Sequence, residues 1–329
     1  MFGIRSQETS DSSDELFYLA RLLSLLLGLA SFPVVWRIFQ RLGYPREIRV
    51  GAILFLAFLP CHAYFTSFVS NDALTWLLAL LITYPMMDAR TFASRGAPAA
   101  LGRRSTALFF LLAVGLLTKS SILLFFPPVG LFYLYGFWKT KDRRFLWQGA
   151  LVLFGSLAVV SPWYARNIQL YGSWSAIEVG NGPAQRYLFQ PDQIEKFLKN
   201  TTRYFWFPMQ HLLPTNGRRV IWGIGAILLA MNAALVARWF RARRRLEAEE
   251  VLLLALFAGN VFGYVRYNIL WRNAEGRFFF VTLTAVLLFF TVPLYDFLRA
   301  RGRTAWFVPI LLLEALWPYL NLLLPQYDY

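Results

Sequence analysis

Acidic residues are scarce in this chain. Eighteen Asp and Glu stand against 33 Lys and Arg in 329 residues, with two histidines and one cysteine. The lone Cys61 excludes an intrachain disulfide and fixes no redox compartment. The Asp/Glu/His spacing of a metal site is missing, as are a Gly-rich phosphate loop and a nucleophile elbow. No cofactor is therefore indicated, and a divalent metal has no support from the residues. Internal repeats and low-complexity tracts are absent. So are the alternating strands of about ten residues that build outer-membrane barrels.

What is present in excess is apolar. Hydrophobic residues make up 57% and aromatics 18% of the chain, far above an ordinary soluble domain. Surface grows too slowly with mass for a water-soluble fold to hide so much. In lipid every backbone amide must bond within its own segment, so long apolar runs become helices. The expected fold is an all-α integral membrane bundle, one transmembrane domain over 1–329. Spans of about 20 residues are needed to cross the hydrocarbon. Ten segments qualify: 16–39, 50–70, 73–87, 106–117, 120–138, 147–164, 219–239, 251–270, 277–298 and 304–324. The third and fourth are short, so one of them reads as a broken or tilted helix.

The formal charge of +15 is concentrated in short connections. Arg37, Arg41, Arg46 and Arg49 form the first cluster; Arg90, Arg95, Arg103 and Arg104 the second; Lys139, Lys141, Arg143 and Arg144 the third. Arg238, Arg241 and Arg243 to Arg245 follow, then Arg299, Arg301 and Arg303. All five fall on one side if ten spans alternate. The positive-inside rule makes that side cytoplasmic, in the inner membrane, with both termini outside. This distribution speaks against a nucleic-acid partner, which needs a continuous basic face.

The outer side then carries the polar N-terminus, 1–15, and one large loop, 165–218. Within the loop a helix is expected over 192–207: Asp192 caps it, Glu195 completes a capping-box-like pair and Pro208 stops it. Ile194, Phe197, Leu198, Thr201, Tyr204 and Phe205 recur at helical spacing. That face either packs on the spans or lies in the headgroup plane; the aromatic run ending in Phe207 favours the headgroup plane. Asn200-Thr201-Thr202 matches a glycosylation sequon, a triplet frequent by chance. The polar start of the chain enters the first span without a cleavable leader. An outside N-terminus with nothing upstream to translocate it points to a missing earlier span.

Polar residues gather where the outward ends of the spans converge, and ionisable groups at membrane depth are costly enough to be functional candidates. Asp72 opens the third span and is either its cap or a reacting carboxylate. Lys119 lies in the turn Thr118–Ser121 and either snorkels to the interface or binds an anion. Arg166 and Arg272 serve as interfacial anchors or as ligands. Arg266, inside an apolar span, calls for a function or a buried partner. Arg277 either pairs with Glu275 or joins Lys119, Arg166 and Arg266 around a phosphate, where helix starts and cations together suit such a group. His62 reads as a packing histidine, His211 as solvated, and Glu314 as a partner for a neighbouring helix.

Several of these stretches resemble the GT-C superfamily of polytopic glycosyltransferases, in particular bacterial relatives of protein O-mannosyltransferases and of the lipid A aminoarabinose transferase. They are Leu59-Pro60-Cys61-His62 running into Ser70-Asn71-Asp72-Ala73-Leu74; Gly115 to Ser121; Trp163 to Asn167 with Leu170-Tyr171-Gly172; and Glu275-Gly276-Arg277-Phe278-Phe279. Their order also matches, over roughly residues 16 to 298. The resemblance implies transfer of a sugar from a polyprenyl-phosphate carrier to an acceptor hydroxyl outside the cytoplasmic membrane. Lys119, Arg166 and Arg277 would hold the phosphate and Asp72 would assist at the acceptor or sugar side. Membrane lipid and the lipid-linked sugar are the implied partners. The family's base lies in a first outer loop after a first span, whereas residues 16–39, with Tyr18, Arg21 and Leu22, look like its second span. Asp11, Asp14 and Glu15 are on the correct side but do not match the base motif. A truncated chain, a partner subunit that completes it, or an inactive member would each account for this; truncation is preferred. The alternative from another class is a non-catalytic lipid-phosphate carrier or assembly subunit.

Overall fold

The computed structural model describes residues 10–87, 98–174, 191–206, 215–242, 247–271 and 276–323. Among these every regular element is helical. Helix α1 (Ser10–Arg41) is followed by α2 (Arg46–Phe58), α3 (Pro60–Ser67), α4 (Asp72–Thr83), α5 (Pro98–Thr118), α6 (Phe126–Thr140) and α7 (Arg144–Tyr171). Then come α8 (Pro191–Trp206), α9 (Thr215–Ala242), α10 (Ala248–Trp271), α11 (Leu283–Arg299) and α12 (Phe307–Leu323). Short 3-10 turns lead into α6 (Ser120–Phe125) and α11 (Gly276–Thr282).

Seven helices are long and apolar enough to cross a membrane, eight if α2 and α3 count as one bent span. The expectation of ten is met only to that extent. Asp72–Met86 and Thr304–Tyr319 are apolar but shorter; at about 1.5 Å per residue they fall short of a hydrocarbon core of about 30 Å. The break in the second span follows from Pro60, which has no N–H to give and holds the preceding residue out of the helical region. Leu59 is accordingly extended, at φ −68° and ψ 115°, and the two helices meet at 57°.

Exposure supports a lipid surround. Leu16, Tyr18, Leu19, Leu23 and Leu26 on α1 are 52–67% exposed, as are Leu151 (64%) and Phe154 (72%) on α7. In water these would form patches far too large for a monomer. Helix α11 is the opposite case, with 83% of its span buried. It forms the centre of the bundle, between α2, α4, α9, α10 and α12. Where helices press close, small residues lie between them, as expected when packing rather than water drives association. A Cβ on Gly149 would meet the Tyr133 side chain at 2.9 Å, and one on Gly51 would meet Phe307 at 2.5 Å.

Side-chain bonds define two ends of the bundle. At one end the Arg41 guanidinium donates to the Tyr84 carbonyl (3.0 Å), and Tyr133 donates to Ser105 (2.8 Å), which donates to Gln148 (2.5 Å). Tyr44 donates to Glu250 (3.1 Å) and Trp239 to Asp296 (3.0 Å) there as well. At the other end Asn71 donates to the Thr118 carbonyl, Tyr164 to the Leu116 carbonyl (both 3.0 Å), and Thr201 and Tyr264 share a hydroxyl bond of 2.7 Å.

The two readings of the loop helix divide along its length. Helix α8 exposes Ile194 (40%) and Leu198 (57%) in its first half. Its last turn is packed on the spans: Trp206 is fully buried, with ring contacts to Phe55 at 6.3 Å, Phe290 at 5.9 Å and Trp317 at 6.4 Å. Phe205 and Trp206 thus enter the bundle instead of lying along its surface, because α2, α11 and α12 offer rings to pack against, while Phe207 lies outside the described residues. Thr202 of the sequon is buried at 8%, and Thr201 is bonded to Tyr264. Glu314 finds its neighbour as expected, accepting from Asn232 of α9 at 3.4 Å.

Candidate functional site

The strongest polar feature lies at the end opposite the arginine-bearing turns. Asp72 is the first residue of α4, where a carboxylate is favoured by the helix dipole. Its backbone N–H donates to Ser70 Oγ at 3.2 Å. Lys119 interrupts the chain between α5 and the following 3-10 turn in an extended conformation, φ −160° and ψ 133°. Its N–H closes the last turn of α5 on the Gly115 carbonyl at 2.8 Å, so the side chain leaves the helix at a corner. Lys119 Nζ donates to Asp72 Oδ1 at 2.5 Å. The carboxylate side chain is 4% exposed and the lysine 27%. A buried anion therefore holds a cation whose side chain is partly exposed.

A third connection meets this pair. The Phe278 ring lies 5.9 Å from Lys119 Nζ, within range of a cation–π contact. Phe278 follows Arg277 in the 3-10 turn before α11, and the Arg277 side chain is outside the described residues. Tyr264 and Tyr267 of α10 pack on Phe278 at 5.8 and 5.4 Å. One turn below Asp72, Trp76 stacks on Phe280 at 4.4 Å, and His62 lies 6.0 and 6.1 Å from those two rings. His62 is 4% exposed with Nε2 unbonded among the described residues, so it packs in this aromatic floor as expected.

The nominated residues are brought together in part. Asp72 and Lys119 touch. Arg166 is at the same end, two residues beyond the Tyr164 that bonds Leu116, but it is exposed and rests on Trp163 at 5.5 Å. Arg266 also lies on α10 and is exposed. Arg272, Glu275 and His211 lie outside the described residues. One cation was not nominated: Arg21 of α1 sits 4.8 Å from the Phe17 ring and 6.0 Å from Phe68, in the connection leading to Asp72. Its Nε is buried and unbonded among the described residues. The sequence singles it out only within the resemblance of 16–39 to a second span, because a single arginine near a span end reads as an anchor. Among the described residues no three His, Cys, Asp or Glu side chains converge as a metal site.

Helix lengths, the apolar exterior and the two polar ends define a multi-pass helical membrane protein. Comparison with family models, curated proteins and solved structures finds no match to the chain.

Proposed function

We propose that the chain is a glycosyltransferase of the GT-C kind, moving a sugar from a polyprenyl-phosphate carrier to an acceptor at the outer face of the cytoplasmic membrane. The observation that carries the reading is the Asp72–Lys119 pair, buried at the carboxylate and partly exposed at the lysine, at the end away from the arginine-bearing turns. Positive-inside orientation puts those turns in the cytoplasm and the pair outside.

In the reaction the acceptor hydroxyl attacks the anomeric carbon, the bond from that carbon to the phosphate oxygen breaks, and polyprenyl phosphate leaves with the electron pair. Lys119 supplies positive charge to the departing oxygen, fixed in place by Asp72 before substrate arrives. Preorganised charge of this kind is worth about a hundredfold or more in rate. Arg277, beside Phe278, is the second candidate for the phosphate. The acceptor proton must pass to a base; among the described residues Asp72 is the carboxylate in contact with the cation, and positioned base catalysis contributes about 10²–10⁴.

The depth of Asp72 favours a second reading, in which the pair only pins the start of α4 to the end of α5. In that case the chain is a non-catalytic carrier or assembly subunit. Sugar transfer from polyprenyl-phosphate donors by Lys119→Ala and Arg277→Ala proteins separates the two. Each variant is expected to fall at least about tenfold when assayed below its melting temperature. Transfer equal to the wild type in both would remove these cations from the reaction.

A further inference from the structure

Glu314 is an ionisable residue that the sugar-transfer reading leaves unused. It lies midway along α12 and is 1% exposed. Asn232, 5% exposed, lies midway along the candidate span Trp222–Ala242 of α9. The Asn232 amide donates from Nδ2 to the Leu228 carbonyl at 2.9 Å and to Glu314 Oε1 at 3.4 Å. Glu314 therefore sits at the depth of the middle of that span. Its second oxygen, Oε2, and Asn232 Oδ1 are both buried and have no hydrogen-bond partner among the described residues.

No ion pair reaches this carboxyl among the described residues. Helix α12 packs on α2, α3, α9 and α11, and Trp317, one turn beyond Glu314, meets Trp206 of α8. The charged residues of those helices stand away from it. Arg46, Glu47 and Arg49 open α2, below the Gly51 that meets Phe307 and Leu311. On α9 they are Arg218, Arg219, Arg238 and Arg241, and on α11 Asp296 and Arg299, all toward helix ends. Lys199 of α8 holds Glu195. His62 of α3 faces Trp76 and Phe280, and Tyr295 of α11 packs on Phe307, two turns from Glu314.

An ionised glutamate offers only acceptors, and the amide oxygen beside it is an acceptor too. Two buried acceptors and an uncompensated charge in an apolar interior are a costly arrangement. One proton on Oε2 removes both costs. It cancels the charge and makes Oε2 a donor, so that O–H to Oδ1 and N–H to Oε1 close a reciprocal acid–amide pair. A metal ion needs more ligands than this pair supplies, and among the described residues no three His, Cys, Asp or Glu converge.

We propose that Glu314 is a proton-binding site inside the bundle, with Asn232 Oδ1 as the acceptor for the bound proton. The pair joins α9 to α12, shares no residue with the Asp72–Lys119 pair, and stands whether or not the chain transfers sugar.

The test is infrared spectroscopy of the purified full chain at neutral pH, as the difference between wild type and Glu314→Gln. Glutamine keeps the shape, and its amide N–H replaces the acid hydroxyl as donor to Asn232. The difference is expected to show the carbonyl stretch of one protonated carboxyl and no carboxylate stretch. In Asn232→Leu that acid band moves to higher frequency, because its hydrogen bonds are lost. An apolar carbodiimide gives a second reading on the wild type alone, with Leu313 and Met231, 63% and 40% exposed, bringing lipid beside the pair. The acid O–H adds across a C=N bond of the reagent: oxygen bonds the central carbon and the proton moves to nitrogen. Acyl migration to nitrogen then leaves a stable N-acylurea. Nothing departs, so the peptide containing Glu314 gains the whole mass of the reagent. Labelling there is expected to exceed that at the exposed Glu15 at least about tenfold, the protonation ratio that one pH unit gives. It falls as the pH is raised and is indifferent to sodium ions. A carboxylate band in the difference spectrum, an acid band unmoved in Asn232→Leu, labelling no greater than at Glu15, or protection by sodium would each overturn the assignment.

Discussion

Replacing Asp72 by Ala destabilises the folded bundle by about 3 kcal/mol, the lower end of what is lost when one partner of a buried ion pair is removed. The lower end applies because Lys119 keeps 27% of its side chain exposed and can turn toward the surface, whereas Asp72 is almost wholly enclosed. Lys119→Met alone is the harsher change, leaving the carboxylate buried at the start of α4 with its strongest donor gone; about 3–5 kcal/mol is expected. Asp72→Ala/Lys119→Met recovers part of either loss, since neither charge is then left alone, and the cycle gives a coupling of at least about 1 kcal/mol. Denaturant unfolding in detergent micelles measures all three variants. Additive single losses, with no recovery in the double variant, would show that the contact carries no energy.

The second large effect belongs to Trp206. Truncation to Ala empties a site enclosed by Phe55, Phe205, Phe290 and Trp317, drawn from α2, α8, α11 and α12. In hydrocarbon the solvent is as apolar as the core, so the loss comes from vanished packing contacts and the cavity left behind. For a fully buried Trp that amounts to about 3–5 kcal/mol. Leu198→Ala on the same helix, at a position 57% exposed, changes stability by less than about 0.5 kcal/mol. Thermal melting of the two variants, side by side, is the measurement. The contrast separates a helix keyed into the bundle at its end from one that merely rests on the membrane, for which the two substitutions would have similar small effects.

Hydropathy made the helices legible because a membrane span must be continuously apolar, and each of the ten expected segments is mostly helical in its described part, the second one broken at Leu59 and ending before Phe68. It found the apolar stretches and missed the helix ends. Helix α5 begins at Pro98, eight residues before the expected 106, and α7 runs to Tyr171 instead of Tyr164. Arg103, Arg104 and the 165–171 stretch are too polar for lipid but form helix readily outside it. The break at Leu59-Pro60 was written in the proline, and the end of α7 in Gly172, whose φ of +67° suits a residue without a Cβ.

The site was legible as a set of residue types and illegible as geometry. Asp72 and Lys119 were both nominated, yet they are 47 positions apart, and only the packing of α4 on α5 joins them. The exposure of Arg166 and Arg266 could not be read at all. In a soluble helix an apolar stripe marks the core side, but here the lipid side is equally apolar, so periodicity gives no inward direction. The aromatic floor of His62, Trp76 and Phe280 escaped for a related reason: its members come from three separated segments in a chain rich in rings.

The sugar-transfer account requires the Asp72–Lys119 end to face outward and the arginine-bearing turns to face the cytoplasm. A single cysteine introduced at Val69, 48% exposed in the connection before α4, or at Arg103, also exposed, tests this with a membrane-impermeant maleimide; the native Cys61 is buried and stays silent. In right-side-out vesicles Val69→Cys is expected to label at once, and Arg103→Cys only after permeabilisation. Labelling in the reverse order, or equal labelling of both in sealed vesicles, would contradict the account.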